Sequence, residues 1–125
     1  KVAFHTLSFL GGESQIAANA AACSADEGKF LQLHKTLMAN QPSENSGAWT
    51  SSYFSTLGLG LGISSPEYDK CVSDNKYMGW VKNVADEGAT RNINSTPTIF
   101  INGKEIDRET AYSSLAGFML AIEKA

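Results

Sequence analysis

Cys23 and Cys71 are the only two sulfhydryl side chains in this sequence, and 48 positions separate them. A thiolate is the strongest nucleophile a protein chain offers at neutral pH, and two of them in Cys-x-x-Cys spacing make a redox couple. That spacing occurs nowhere here. Cys23 and Cys71 therefore have three readings open: a nucleophile or distant redox couple, two buried free thiols, or one disulfide between two helices. The histidines add little. His5 falls in an apolar, strand-like run and His34 on the solvent side of a helical pattern, with Cys and carboxylates scattered, so no metal-ligand spacing emerges. Gly58-Leu59-Gly60-Leu61-Gly62 hints at a phosphate loop. It lacks the Lys-Ser/Thr of a P-loop and the preceding strand of a dinucleotide site, so a helix end accounts for it better.

The other chemistry-bearing stretch is Asn94-Ser95-Thr96-Pro97-Thr98-Ile99-Phe100-Ile101-Asn102-Gly103. A polar run leads into Thr-Pro-Thr, then three apolar β-formers, then Asn-Gly, the strongest short hairpin signal. Pro97 has no N–H to give a ladder, which places it at a strand start, an edge or a bulge. An X-Pro bond is also the one peptide bond for which the cis form is cheap, so Pro97 is a candidate cis-proline. Such a loop leaves backbone groups free for a ligand. Asn94-Ser95-Thr96 matches a glycosylation sequon, discounted because it abuts this loop.

The elements that must hold these residues follow from pattern. Val2–Leu10 mixes β-branched and aromatic residues and predicts a strand buried on both faces, ended by Gly11-Gly12. An Ala-rich run from Ser14 to Ala25 predicts a helix broken near Gly28. Phe30, Leu33, Leu37 and Met38 predict a second helix; Trp49, Phe54 and Leu57 a third. Ser65-Pro66 reads as an N-cap with proline at the first helical position, and Ser64 with Glu67 as an alternative capping box. Tyr68, Cys71 and Val72 share the next helical face, which continues after a bend near Asp74-Asn75 through Trp80, Val81 and Val84. Asp107 caps a last helix with Leu115, Phe118, Met119 and Ile122 as its apolar stripe, and the stripes around Trp80 and Phe118 read as core. Strand, helical block, two short strands and helix make an α/β or α+β domain.

At 125 residues the chain is one domain of ordinary soluble composition. A net charge of −3 and a pI near 5.3 disfavour nucleic acid. No apolar stretch reaches the roughly 18–20 residues a membrane span needs.

Thr96-Pro97-Thr98 with Ile99-Phe100-Ile101-Asn102-Gly103-Lys104 resembles the cis-proline loop and hairpin of the thioredoxin superfamily, and within it the bacterial DsbA-like thiol–disulfide oxidoreductases. Glu13-Ser14 through Cys23, Glu27-Gly28-Lys29-Phe30, Tyr68-Asp69-Lys70-Cys71 and Tyr77-Met78-Gly79-Trp80-Val81 resemble helices of that family's insertion, in matching order. The resemblance implies a thioredoxin-like part at 1–10 and 95–125 with a helical insertion at 13–93. It implies that Thr96 and Pro97 bind the extended substrate polypeptide by strand addition. It implies extracytoplasmic (periplasmic, cell-envelope or secreted) protein or peptide substrates with thiols or disulfides, and no cofactor. Helix-to-helix disulfides in some such relatives favour a structural Cys23–Cys71 bridge.

In that family the redox pair opens the first helix, after a central strand upstream of the segment matching Val2–Phe9. Neither has a counterpart here, so a truncated thioredoxin-like domain without catalytic residues is expected. Removing a middle strand opens a gap of about 10 Å between its neighbours. A separately cut segment fills it, or an exchanged element in an oligomer, or the flanking strands pair directly, or the core rearranges. A non-catalytic peptide- or partner-binding module is the alternative function, and a domain that borrows its middle strand a third.

Overall fold

A computed structural model describes residues 2–125; Lys1, where the expected 1–10 segment begins, lies outside them. The chain divides into two compact units, Lys1–Arg91 and Asn92–Ala125.

The first unit is helical and built around α1, Gly12–Asp26. Its alanines give strong helix propensity, and their small side chains let neighbouring helices approach closely. Ala17, Ala18, Ala20, Ala21 and Cys23 are all buried, so α1 is covered on most of its circumference. Two polar residues are buried with them. Asn19 accepts a hydrogen bond from the Tyr77 N–H at 2.8 Å, and the Ser24 hydroxyl donates to the Ala21 carbonyl. Around α1 stand α2 (Phe30–Ala39), α3 (Ser51–Gly60), α4 (Pro66–Ser73) and α5 (Met78–Thr90).

Local chemistry sets their ends. Thr50 caps α3 by accepting from the Tyr53 N–H, and Ser65 caps α4 by accepting from the Tyr68 N–H, with Pro66 at the first helical position. Trp49 therefore lies outside α3. Asn75, with φ of 53°, separates α4 from α5 where the bend was expected. The core joins Leu33 and Leu37 of α2, Phe54 of α3, and Tyr68 and Val72 of α4 to the alanine face.

Gly58 is fixed by its neighbour: a Cβ there would meet the Tyr68 ring well inside van der Waals contact. The Tyr68 hydroxyl donates to the Phe54 carbonyl at 3.2 Å, and burial pushes its pKa up to about 12. Gly58→Ala should cost between about 1 and 3 kcal/mol by overpacking. An earlier urea midpoint at unchanged slope is the expected reading; an unmoved midpoint would show that the ring has room to yield.

The Val2–Leu10 expectation needs correction. The segment takes part in no ladder, and only Ser8 in it is buried; Val2, Phe4, Phe9 and Leu10 are exposed. Its composition favours extended backbone, but a strand exists only beside a hydrogen-bonded partner. The helical block around α1 offers it none.

The second unit holds a two-stranded antiparallel sheet, β1 (Phe100–Ile101) and β2 (Lys104–Glu105), paired Phe100 to Glu105 and Ile101 to Lys104. Asn102 and Gly103 both have positive φ, as the tight turn requires. The single last helix is two. Asp107 caps the short α6 (Arg108–Ala111), and Ser114 caps α7 (Leu115–Glu123). The expected apolar stripe is not core: α7 has no buried residue, and Leu115, Met119, Leu120 and Ile122 are exposed. Trp80 is exposed as well. Leucines and methionines at helical spacing mark a face able to be buried, not one that is.

Candidate functional site

Thr96 and Pro97 lie on an exposed loop whose Thr96–Pro97 peptide bond is cis. Among the described residues no hydrogen bond engages either one, so the Thr96 peptide groups stand free. The residues on both sides are held. Just before, the Ser95 carbonyl accepts from the Thr98 hydroxyl at 2.5 Å and from the Arg108 guanidinium at 3.4 Å. Just after, Arg108 donates to Thr98 Oγ1 at 2.6 Å, and the Ile99 N–H donates to Tyr112 Oη at 2.9 Å. The Ile106 N–H closes the hairpin onto the Ile99 carbonyl at 3.0 Å.

Arg108 does most of this bracing. It also pairs with Glu105 at 3.6 Å and lies over the Tyr112 ring at 5.8 Å. Arg108 and Tyr112 are four residues apart, one turn of helix, which puts both on the face toward the loop. The sequence reading missed them. The signal was present as an Arg–Tyr pair at helical spacing just past the Asp107 cap, but nothing local says which loop it serves. Asp107 is held below the usual carboxylate range by the Thr110 hydroxyl and the Glu109 N–H. A loop braced on both sides, with free peptide groups at an exposed tip, can accept an extended polypeptide by main-chain hydrogen bonding.

The cysteines belong to the first unit. Cys23 of α1 and Cys71 of α4 form a disulfide with 5.9 Å between their Cα atoms, a separation such bridges commonly show. Cys23 is fully buried and Cys71 nearly so, packed with Phe54, Leu33, Tyr68 and Val72. An attacking thiolate would have to pass through that core, so the sulfurs act as a staple. Asp26, at the end of α1, accepts from Lys76 and from the Tyr77 hydroxyl, which hold its carboxyl below the usual range. His5 is exposed. His34, expected on the solvent side, is half-buried and stacks on Phe30 at 5.7 Å. Among the described residues no group of three or more His, Cys, Asp or Glu side chains is placed to hold a metal ion, and no helix is long and apolar enough to cross a membrane. Gly58 to Gly60 close α3, and Leu61 and Gly62 make the turn that follows it.

Residues 1–120 match the family described as Thioredoxin. The chain is 33% identical over 88 residues to "Na(+)/H(+) antiporter NhaA 1" of Mycobacterium sp. (strain KMS), covering 70% of this chain and 14% of the antiporter. It is 24% identical over 127 residues to a "Putative protein-disulfide oxidoreductase" of Rickettsia bellii (strain RML369-C), covering 100% of this chain and 49% of that protein. A protein of the same description from Rickettsia conorii (strain ATCC VR-613 / Malish 7) is 26% identical over 130 residues, covering 100% of this chain and 44% of its own length. The chain thus spans a small part of the antiporters and about half of the Rickettsia proteins. No solved structure matches it. With nearly its whole length matched, the chain belongs to the thioredoxin family.

Proposed function

We propose that this chain is the substrate-side part of a DsbA-like thiol–disulfide oxidoreductase acting on extracytoplasmic polypeptides, and that it has no redox turnover by itself. One observation carries the reading. A thioredoxin-family chain presents an exposed, braced Thr96–Pro97 loop, while its only two cysteines are closed in a buried disulfide. Thr96 would pair with the substrate backbone, and the exchanging thiolate would come from a Cys-x-x-Cys outside these 125 residues. In this reading 1–10 and 95–125 form the thioredoxin-like part and 13–93 the helical insertion, and a central strand pairs with the open Val2–Phe9 segment. That strand comes from a further segment of the polypeptide or from an exchanged element in an oligomer. Its pairing would satisfy a backbone segment that has no ladder of its own. The Rickettsia relatives' description and the half of their length outside the match support the same assignment. A stable disulfide agrees with an oxidising compartment.

The closed disulfide also favours a second reading, a non-catalytic module that uses the proline loop to hold a peptide or partner protein. The intact gene separates the two: Cys-x-x-Cys encoded before Lys1 selects the oxidoreductase, other residues there select the module. In an insulin-reduction assay this chain alone should not raise the rate above the uncatalysed reaction. A polypeptide extended to include the redox pair should turn over. Robust reduction by the 125 residues alone would overturn the proposal.

A further inference from the structure

Within the first unit, α1, α2, the loop leading to Trp49 and the segment before α1 border an apolar cleft of about 180 Å³. Its floor follows from the sequence of α1. Ser14, Ala17, Ala18 and Ala21 recur at helical spacing, and their short side chains leave the helix surface low. Leu37 of α2 faces them. Protein interiors are ordinarily close-packed, so an apolar-floored cleft of this size invites an occupant.

The rim carries one sign of charge. Among the described residues Glu13 and Glu44 line the cleft and no lysine or arginine does; His34 is the remaining titratable lining residue. The Glu13 carboxylate is oriented because one oxygen accepts the Trp49 N–H at 2.9 Å, which leaves the other oxygen for a ligand. Thr6, also in the lining, has its Oγ1 buried with no hydrogen-bond partner. An apolar floor, an orphan hydroxyl and two carboxylates that no cation among the described residues meets call for an apolar body beside a positive head.

We infer that this cleft is a docking site for a polypeptide segment in which an aromatic or long aliphatic side chain is followed by arginine or lysine. The apolar side chain enters over Ala17, Ala18 and Ala21, and the cation meets Glu13 and Glu44. That the ligand is a polypeptide rests on the functional reading above; the shape and charge of the cleft do not.

The test uses fluorescein-labelled hexapeptides without cysteine, so that docking is read apart from disulfide exchange. One has a central phenylalanine followed by arginine, one phenylalanine followed by glutamate, one alanine followed by arginine. Titrated against the isotopically labelled chain, the Phe-Arg peptide should shift the resonances of Ala17, Ala18, Ala21 and Leu37. It should bind at least about tenfold more tightly than either control, the factor that one well-placed charge pair supplies against the glutamate peptide and one buried aromatic side chain against the alanine peptide. Glu13→Gln with Glu44→Gln keeps an acceptor for the Trp49 N–H and should abolish the preference for arginine over glutamate while retaining that for phenylalanine over alanine. Ser14→Phe should fill the cleft and remove both. Equal affinity for the arginine and glutamate peptides, shifts confined to other residues, or no binding at millimolar peptide would overturn the inference. None of those results touches the redox proposal, which stands or falls on turnover by the extended polypeptide.

Discussion

Removing the Cys23–Cys71 bridge, as Cys23→Ala with Cys71→Ala, should lower the stability of the first unit by about 4 kcal/mol. The bridge closes a loop across 48 positions, and that length sets the chain-entropy estimate. The packing around it argues for a cost near the full value. The central helix contributes mainly alanines to the core, and each buries little apolar surface compared with a leucine or phenylalanine. The larger side chains, Leu33, Phe54, Tyr68 and Val72, belong to the same buried cluster as the two cysteines. Cutting the bridge therefore loosens α1 against α4 where the apolar surface is concentrated. Urea unfolding of the oxidised protein and of the double variant gives the difference directly. Reduction of the unaltered protein with dithiothreitol should reproduce it, and the unreduced protein should show no titratable thiol in denaturant. A loss below about 1 kcal/mol by both routes would mean that the denatured chain is already constrained there by other means.

The same bridge shows what a sequence can and cannot say here. Spacing alone leaves two distant cysteines open to free thiols, a catalytic role or a staple; family resemblance leans toward the staple, and their placement on α1 and α4 shows it. Signals written in neighbouring residues were legible: the Ser65-Pro66 start of α4, the Asn75 break and the Asn102-Gly103 turn each rest on one or two residues acting on their own backbone. Signals that need a distant partner misled. Val2–Leu10 has the composition of a buried strand, yet strand and burial are properties of a pair. The stripe Leu115, Phe118, Met119 and Ile122 has helical spacing, yet spacing names a face and not what covers it. Ser114 was a readable cap that the longer-helix reading passed over. The candidate site divides along the same line. Thr96 and Pro97 stood out because proline is chemically singular, whereas Arg108 and Tyr112 matter only through the loop they touch.

Those two residues give the second large effect. Arg108→Ala should cost the loop about 2 kcal/mol. A charged hydrogen bond contributes roughly 1.5–3 kcal/mol where water is excluded, and the partial exposure of Arg108 reduces the combined value of its bonds to Thr98 and Ser95. Its pairing with Glu105 adds little, since exposed ion pairs contribute at most about 1 kcal/mol. Tyr112→Phe acts differently, by leaving the half-buried Ile99 N–H without an acceptor, at roughly 1–2 kcal/mol. Arg108 lies over the Tyr112 ring, so the two changes share a contact and should not add completely. The double variant is expected to lose about 3 kcal/mol. Hydrogen exchange at the Ile99 amide should then accelerate roughly a hundredfold, with the Phe54 amide of α3 as an unaffected internal standard. An unchanged Ile99 rate would show that the hairpin holds this strand without the tyrosine. If Thr96 presents its peptide groups to an extended polypeptide, a loosened loop must be reordered at each encounter. Arg108→Lys, which keeps the charge but loses the planar fork, should then weaken substrate binding while the hairpin stays folded.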